Sequence, residues 1–136
     1  MKKMFVLFLA LIAGNLLAQG QSYTGTTEEN FADFWNSYCN NPAFQKSRIK
    51  FPLECITYSS GLEEGEEEET EYINAKDWKY DKIYEYYYDL PQIRIEPKDE
   101  FYLVTRCGIE SGYSVVYAFK LYDNKWYLIG IITYDF

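Results

Sequence analysis

The sequence predicts an α+β fold in which helices come first and a bent antiparallel sheet comes last. Three observations carry this. Apolar residues recur at helical spacing over 31–39, turn-bounded β-rich runs fill the last third, and Gly130 interrupts the final run.

Residues 1–20 read as a secretion signal rather than structure. Lys2 and Lys3 form a short positive start, Met4 to Leu17 is almost wholly apolar, and Ala18 offers a small residue for cleavage. The apolar run is too short for a good membrane span, and no Cys follows the cleavage position to take a lipid. The expectation is an exported chain, periplasmic or secreted, without a membrane span. Residues 21–136 then form a single domain, long enough to bury one core.

Without Lys2 and Lys3, 11 basic residues face 21 acidic ones. Such a surface repels phosphate backbones and anionic headgroups, which argues against nucleic acid as a partner. Histidine is absent, which removes the commonest general base and metal ligand. No metal or cofactor is expected. Cys39, Cys55 and Cys107 are odd in number and lack a CxxC pattern. One disulfide with one free thiol, and three reduced thiols, are both compatible with them.

Thr26 and Glu29 have the spacing of a capping box. Phe31, Phe34, Trp35 and Tyr38 then predict an amphipathic helix to about Cys39. Asn41 and Pro42 predict a cap and first turn for a second short helix through about Lys46, with Phe44 toward the core. Ile49, Phe51 and Leu53 share one side of a half-buried strand that Cys55 to Ser59 can extend. Gly61 to Thr70 reads as an acidic loop, since the six glutamates between Glu63 and Glu69 repel one another. Over Asn74 to Asp89, the spacing of Tyr80, Ile83, Tyr84 and Tyr87 predicts a helix. A short strand is expected at Ile93 to Ile95, between Pro91 and Pro97.

The last third predicts a meander of Phe101 to Cys107, Tyr113 to Leu121 and Lys125 to Tyr134. Ile109 to Gly112 closes its first hairpin. Asp123 and Asn124 close the second, as residues that tolerate left-handed backbone. This register sets Val104 against Tyr117, Tyr117 against Gly130, Phe119 against Leu128 and Val115 against Ile132. The core face would then carry Tyr102, Val104, Arg106, Val115, Tyr117, Phe119, Leu121, Trp126, Leu128 and Ile132. The other face is mixed and suits partial solvation or a dimer. Gly130 in mid-strand suggests a bend or bulge.

This order of elements, with the run Phe44-Gln45-Lys46-Ser47-Arg48-Ile49-Lys50-Phe51-Pro52-Leu53, Phe31-x-x-Phe34 upstream and Asp77-Trp78 downstream, resembles a family of exported Bacteroidetes proteins of unknown function. The resemblance covers roughly residues 28–136. It implies an NTF2-like, cystatin-related α+β cone in the cell envelope. It implies no activity, because relatives of that fold include isomerases, dehydratases, transport factors and scaffolds.

The leading functional expectation is a non-catalytic binding or interaction module, with a cleft between the first helix and the C-terminal sheet. Trp35, Tyr38, Tyr102, Tyr117 and Trp126 are its candidate lining, suited to a small aromatic or sugar ligand. Arg106, alone on the apolar face, is a candidate anchor for an anionic ligand. It is otherwise a structural ion pair, with Asp135 or Glu110. One alternative is a cofactor-free isomerase or hydrolase-like enzyme, which needs a carboxylate inside the cone. Asp33 lies about 160° around the helix from Phe31 and should be solvated, so no catalytic residue is assigned. The other alternative is a homodimerising envelope scaffold using the mixed sheet face. Glu63 to Glu71 lacks the alternation and turn glycine of a calcium loop. No cysteine has a base nearby in sequence to activate it.

Overall fold

The computed structural model describes residues 27–60, 66–84, 92–108 and 112–135. The expected export signal, Thr26, the 61–65 part of the expected acidic loop, Tyr86 to Tyr88 and residues 109–111 with Glu110 lie outside the described residues.

The first helix, α1 (Phe31–Asn40), buries Phe31, Phe34, Trp35, Tyr38 and Cys39, the stripe that the spacing predicts. Its cap is Asn30, whose side chain accepts from the Asp33 amide at 3.0 Å. Glu29 does not cap the first turn. Arg48 holds it bidentately at 2.6 and 3.0 Å, and the Trp126 amide donates to it at 3.0 Å. The second helix, α2 (Pro42–Ser47), starts at Pro42 behind an Asn41 cap that accepts from the Phe44 amide. Phe44 packs against the core, as expected, but Gln45 is the residue buried completely.

Six strands follow among the described residues: β1 (Ile49–Ser60), β2 (Glu66–Ile73), β3 (Gln92–Lys98), β4 (Phe101–Cys107), β5 (Tyr113–Tyr122) and β6 (Lys125–Asp135). They form one sheet in the order β2-β1-β6-β5-β4-β3. Neighbours are antiparallel except β1 and β6, which run parallel at its centre. The meander is therefore joined to the N-terminal half by its last strand.

Much of the acidic stretch is strand rather than loop. Glu67, Glu68, Glu69 and Glu71 lie on β2, opposite Ser59, Tyr58, Thr57 and Cys55. Each of these glutamates faces a neutral partner and is exposed at a sheet edge. Cross-strand repulsion, which destabilises directly opposed like charges, is thereby avoided.

The described part of the expected helix over 74–89 is also different. It is a 3-10 turn, Ala75–Asp77, followed by non-helical backbone to Lys82 and a turn at 83–84. The Gln45 amide satisfies backbone groups there that a helix would use internally. Its Oε1 accepts from the Asp81 amide at 2.8 Å and its Nε2 donates to the Asp81 carbonyl at 3.0 Å. Ile83 is nonetheless fully buried.

The meander register is as read near the turn and shifts beyond it. Val104 pairs with Tyr117 and Phe119 with Leu128. Asp123 and Asn124 have φ of 50° and 64°, the two left-handed residues of a tight hairpin turn. Then Ala118 pairs with Gly130, so Ile129 is an extra residue in β6. This bulge places Tyr117 opposite Ile131 and Val115 opposite Thr133, not Gly130 and Ile132. It also brings Ile131, rather than Ile132, against the core, because a one-residue slip exchanges the faces of a strand.

The concave face packs on α1. Val104, Tyr117, Phe119 and Leu128 meet Phe34 and Tyr38, all nearly inaccessible to solvent. Phe119 lies edge-on to Phe31, Phe34, Trp35 and Tyr38, at centroid distances of 5.3–5.8 Å. Each such buried ring contributes on the order of 2 kcal/mol through apolar burial.

Candidate functional site

The six candidate residues do not line a single cleft. Trp35, Tyr38 and Tyr117 are packed into the interface between α1 and the sheet. That space is filled by protein side chains. Tyr102 stacks on Phe31 at 4.1 Å, and Trp126 meets Phe31 and Tyr102 edge-on. Both line a groove of about 430 Å³ at the β3–β4 turn. Arg106 pairs with Val115 across β4 and β5, on the core side as expected.

A carboxylate does lie inside the fold, and sequence reasoning missed it. Asp81 follows the 3-10 turn, where Gln45 clamps its backbone. The Tyr117 hydroxyl donates to its Oδ2 at 3.1 Å. Burial raises the Asp81 pKa above its ordinary value of 3.8; the Tyr117 hydrogen bond and the Arg106 charge offset this only in part. Arg106 also hydrogen-bonds the Tyr117 phenol. Its charge acts on Asp81, while Asp135 is exposed opposite Tyr113 and Glu110 lies outside the described residues. Burial, reinforced by Asp81, pushes both the Tyr117 and Tyr38 phenols upward. The Tyr38 hydroxyl is buried beside this group without a hydrogen-bond partner among the described residues. A buried polar group left so is unusual in a folded protein.

Asp81 also lines a second groove, of about 370 Å³, at the mouth of the cone. Its walls are Ile73, Trp78, Tyr80 and Ile131, with Asp77 and Lys79 also lining it. The polar tips of both aromatic walls are already engaged. Trp78 Nε1 donates to Gln45 Oε1 at 3.2 Å, and the Tyr80 hydroxyl donates to the Cys39 carbonyl. What they offer the groove is ring surface. Alternation would have signalled Asp81. If 79–83 is read as extended chain, Lys79, Asp81 and Ile83 share a side, and buried Ile83 takes Asp81 inward with it.

The three thiols are free. Burial pushes Cys39 up to about 12 and Cys55 up to about 11, with nearby carboxylates adding to both. Neither is disposed to act as a nucleophile.

A protein-family model matches residues 29–136, most of the chain. No curated protein matches the chain. Among solved structures, an NTF2-like protein from Bacteroides fragilis is similar, with a TM-score of 0.54 at 18% sequence identity. The alignment covers 78% of this chain and 47% of that one, so the chain spans about half the length of that relative. At this identity the likeness establishes the fold.

Proposed function

We propose, for a chain that belongs to an NTF2-like family of Bacteroidetes proteins, a small-molecule binding module whose ligand enters the groove at the mouth of the cone. The observation that carries this is Asp81. A carboxylate kept in a partly dry place beside the apolar walls of a groove costs folding free energy, and perturbed carboxylates of this kind concentrate at functional sites. The aromatic walls, Trp78 and Tyr80, would pack on the body of the ligand. Asp81 would accept from its polar end.

Of the ligand classes that the sequence suggests, a sugar or a flat neutral ring suits this groove better than an anion. Asp81 itself would repel an anion, and Arg106 lies close enough to act on Asp81 and the Tyr117 phenol. A hydroxyl-bearing ring can donate to Asp81 and stack on Trp78. The test is a thermal-shift screen of monosaccharides, polyols, phenols and small carboxylates. The expected outcome is a saturable shift by a neutral hydroxyl compound that disappears in Asp81→Asn. Hits that survive Asp81→Asn unchanged, or an empty screen, would overturn the reading.

A second reading is favoured by the direction of the Asp81 shift. A general base works best with a pKa near the working pH, and burial moves Asp81 that way, with two phenols beside it. A cofactor-free isomerase would exchange the α-protons of a cyclic ketone with deuterium in D₂O. That exchange would vanish in Asp81→Asn. Export is part of the same proposal. It predicts that protein recovered from the cell envelope or medium begins near Gln19 or Gln21, which intact mass measurement checks.

A further inference from the structure

We infer that the sheet edge formed by β3 is an interface between copies of this chain, in which two β3 strands pair antiparallel about a two-fold axis at Ile95. Among the described residues β3 ends the strand order, with β4 as its neighbour on one side. Ile95 sits opposite the fully buried Val104, yet is itself 41% exposed.

The backbone of β3 is oriented for such pairing. Lys98 and Phe101 face each other across the two-residue turn Asp99-Glu100, and a turn of that length closes on a hydrogen-bonded pair. Bonded and non-bonded pairs alternate along an antiparallel ladder, so Glu96 and Arg94 also direct their backbone groups to β4. Ile93, Ile95 and Pro97 direct theirs away from the sheet. Pro97, which has no amide hydrogen, thus stands where an edge strand tolerates it, and Ile93 and Ile95 present amide and carbonyl outward.

Charge selects both the occupant and the register. The outer side of β3 carries Gln92, Arg94, Glu96 and Lys98. A second copy centred on Ile95 sets Arg94 of each chain opposite Glu96 of the other, Gln92 opposite Lys98, and Ile93 opposite Pro97. Every residue from Gln92 to Lys98 then has a partner. A centre one residue earlier opposes the two Arg94 side chains. A centre one residue later opposes the two Glu96 side chains and sets Arg94 against Lys98. Directly opposed like charges destabilise a strand pair. Arg94 and Glu96 already lie 3.8 Å apart within the strand, so in the dimer four charges alternate in sign. On the concave side the two Ile95 side chains cover each other.

The other edge offers no such match. β2 carries Glu66, Glu67, Glu68, Glu69 and Glu71, so β2 laid on itself gathers like charge. β3 laid on β2 of another copy is attractive in charge, but that head-to-tail contact leaves an edge free at each end and grows without closing. The two-fold contact closes at a dimer.

The experiment is sedimentation velocity of the full chain over a concentration series. Salt of about 0.15 M screens the general repulsion between copies of formal charge −8. The expected result is a weak monomer–dimer equilibrium, because one strand pair buries less surface than a stable interface. Arg94→Glu alone and Glu96→Arg alone each put like charges face to face, and each should weaken the dimer about tenfold. Both positions are exposed, and circular dichroism should show the fold unchanged. An equimolar mixture of the two single variants should associate like the parent, since Arg–Glu pairs face each other again in the mixed dimer. The Arg94→Glu/Glu96→Arg double variant should do the same. Net charge alone predicts otherwise, with Glu96→Arg strengthening self-association of an acidic chain. A parent that stays monomeric, growth beyond a dimer, single variants that associate like the parent, or a mixture no stronger than its components would overturn the pairing. None of these residues lines the cone-mouth groove, so this test and that of Asp81 fail independently.

Discussion

A single amide, that of Gln45, ties together parts of the chain that share no secondary structure. Its Nε2 donates to the carbonyls of Tyr38 and Asp81, while its Oε1 accepts from the Asp81 amide and from Trp78 Nε1. Gln45→Leu keeps the volume and leaves several buried polar groups unpaired. It should lower stability by about 3 kcal/mol, read as a reduced urea midpoint. Gln45 stood in the run that carries the family resemblance, but nothing in the pattern placed it in the core, since a polar residue on a six-residue helix reads as surface. Its partners are backbone groups that no side-chain pattern announces. Asp81 has its own signature at this scale. Its folded pKa is raised above the ordinary value, so between the two values the native state holds more protons than the unfolded chain. Stability therefore falls as pH rises through that window. Asp81→Asn cannot ionise and escapes this loss. The urea midpoint of Asp81→Asn relative to the parent should rise from pH 4 to pH 7. Glu29 works oppositely. Burial pushes its pKa up, but the Arg48 and Trp126 hydrogen bonds with the Arg48 and Lys125 charges bring it below 4.5. Its stabilising share is present above that value and lost as pH falls through the lowered one.

At the scale of elements, the helical stripe of α1 and the hairpin turn at Asp123-Asn124 were plain in the sequence, because each rests on local rules. The bulge was legible in kind but not in place. Gly130 suggested it, yet the added residue is Ile129. The glycine itself is not required by space, because a Cβ built there meets only the Glu54 carbonyl, at 3.7 Å. Gly130→Ala should therefore change stability by no more than about 1 kcal/mol. Deleting Ile129 should remove the bulge without moving the register. Leu128, Gly130 and Ile131 would still face Phe119, Ala118 and Tyr117, Ile131 stays on the core face, and near-UV circular dichroism should keep its tertiary signal. At the turn, Asn124→Gly should stabilise by about 0.5 kcal/mol, since glycine reaches φ of 64° without steric cost. The β2 strand and the 78–84 segment were misread for a common reason. Both are decided by neighbours remote in sequence: the neutral face of β1 in one case and Gln45 in the other.

For the whole molecule, the cone and its α+β class followed from element order, whereas the grooves did not. A groove is what remains after packing, and single-sequence patterns describe what packs. The aromatic residues chosen as candidates were those with the strongest apolar spacing, and so the ones most apt to fill the core. Chemical labelling gives a global check. With Cys39 at about 12 and Cys55 at about 11, thiolate is scarce at pH 8. Iodoacetamide should leave both unmodified in the native protein and label both in urea, as peptide mass mapping will show.

The position of β6 has a kinetic consequence. It is made after every other strand, yet it sits between β1 and β5. Until it arrives, β1–β2 and β3–β4–β5 are two separate ribbons, each with an open edge and no shared floor. Assembly must wait for the final stretch to thread between them. Such long-range closure slows folding, and a chain stalled before that point would present two sticky borders to its surroundings.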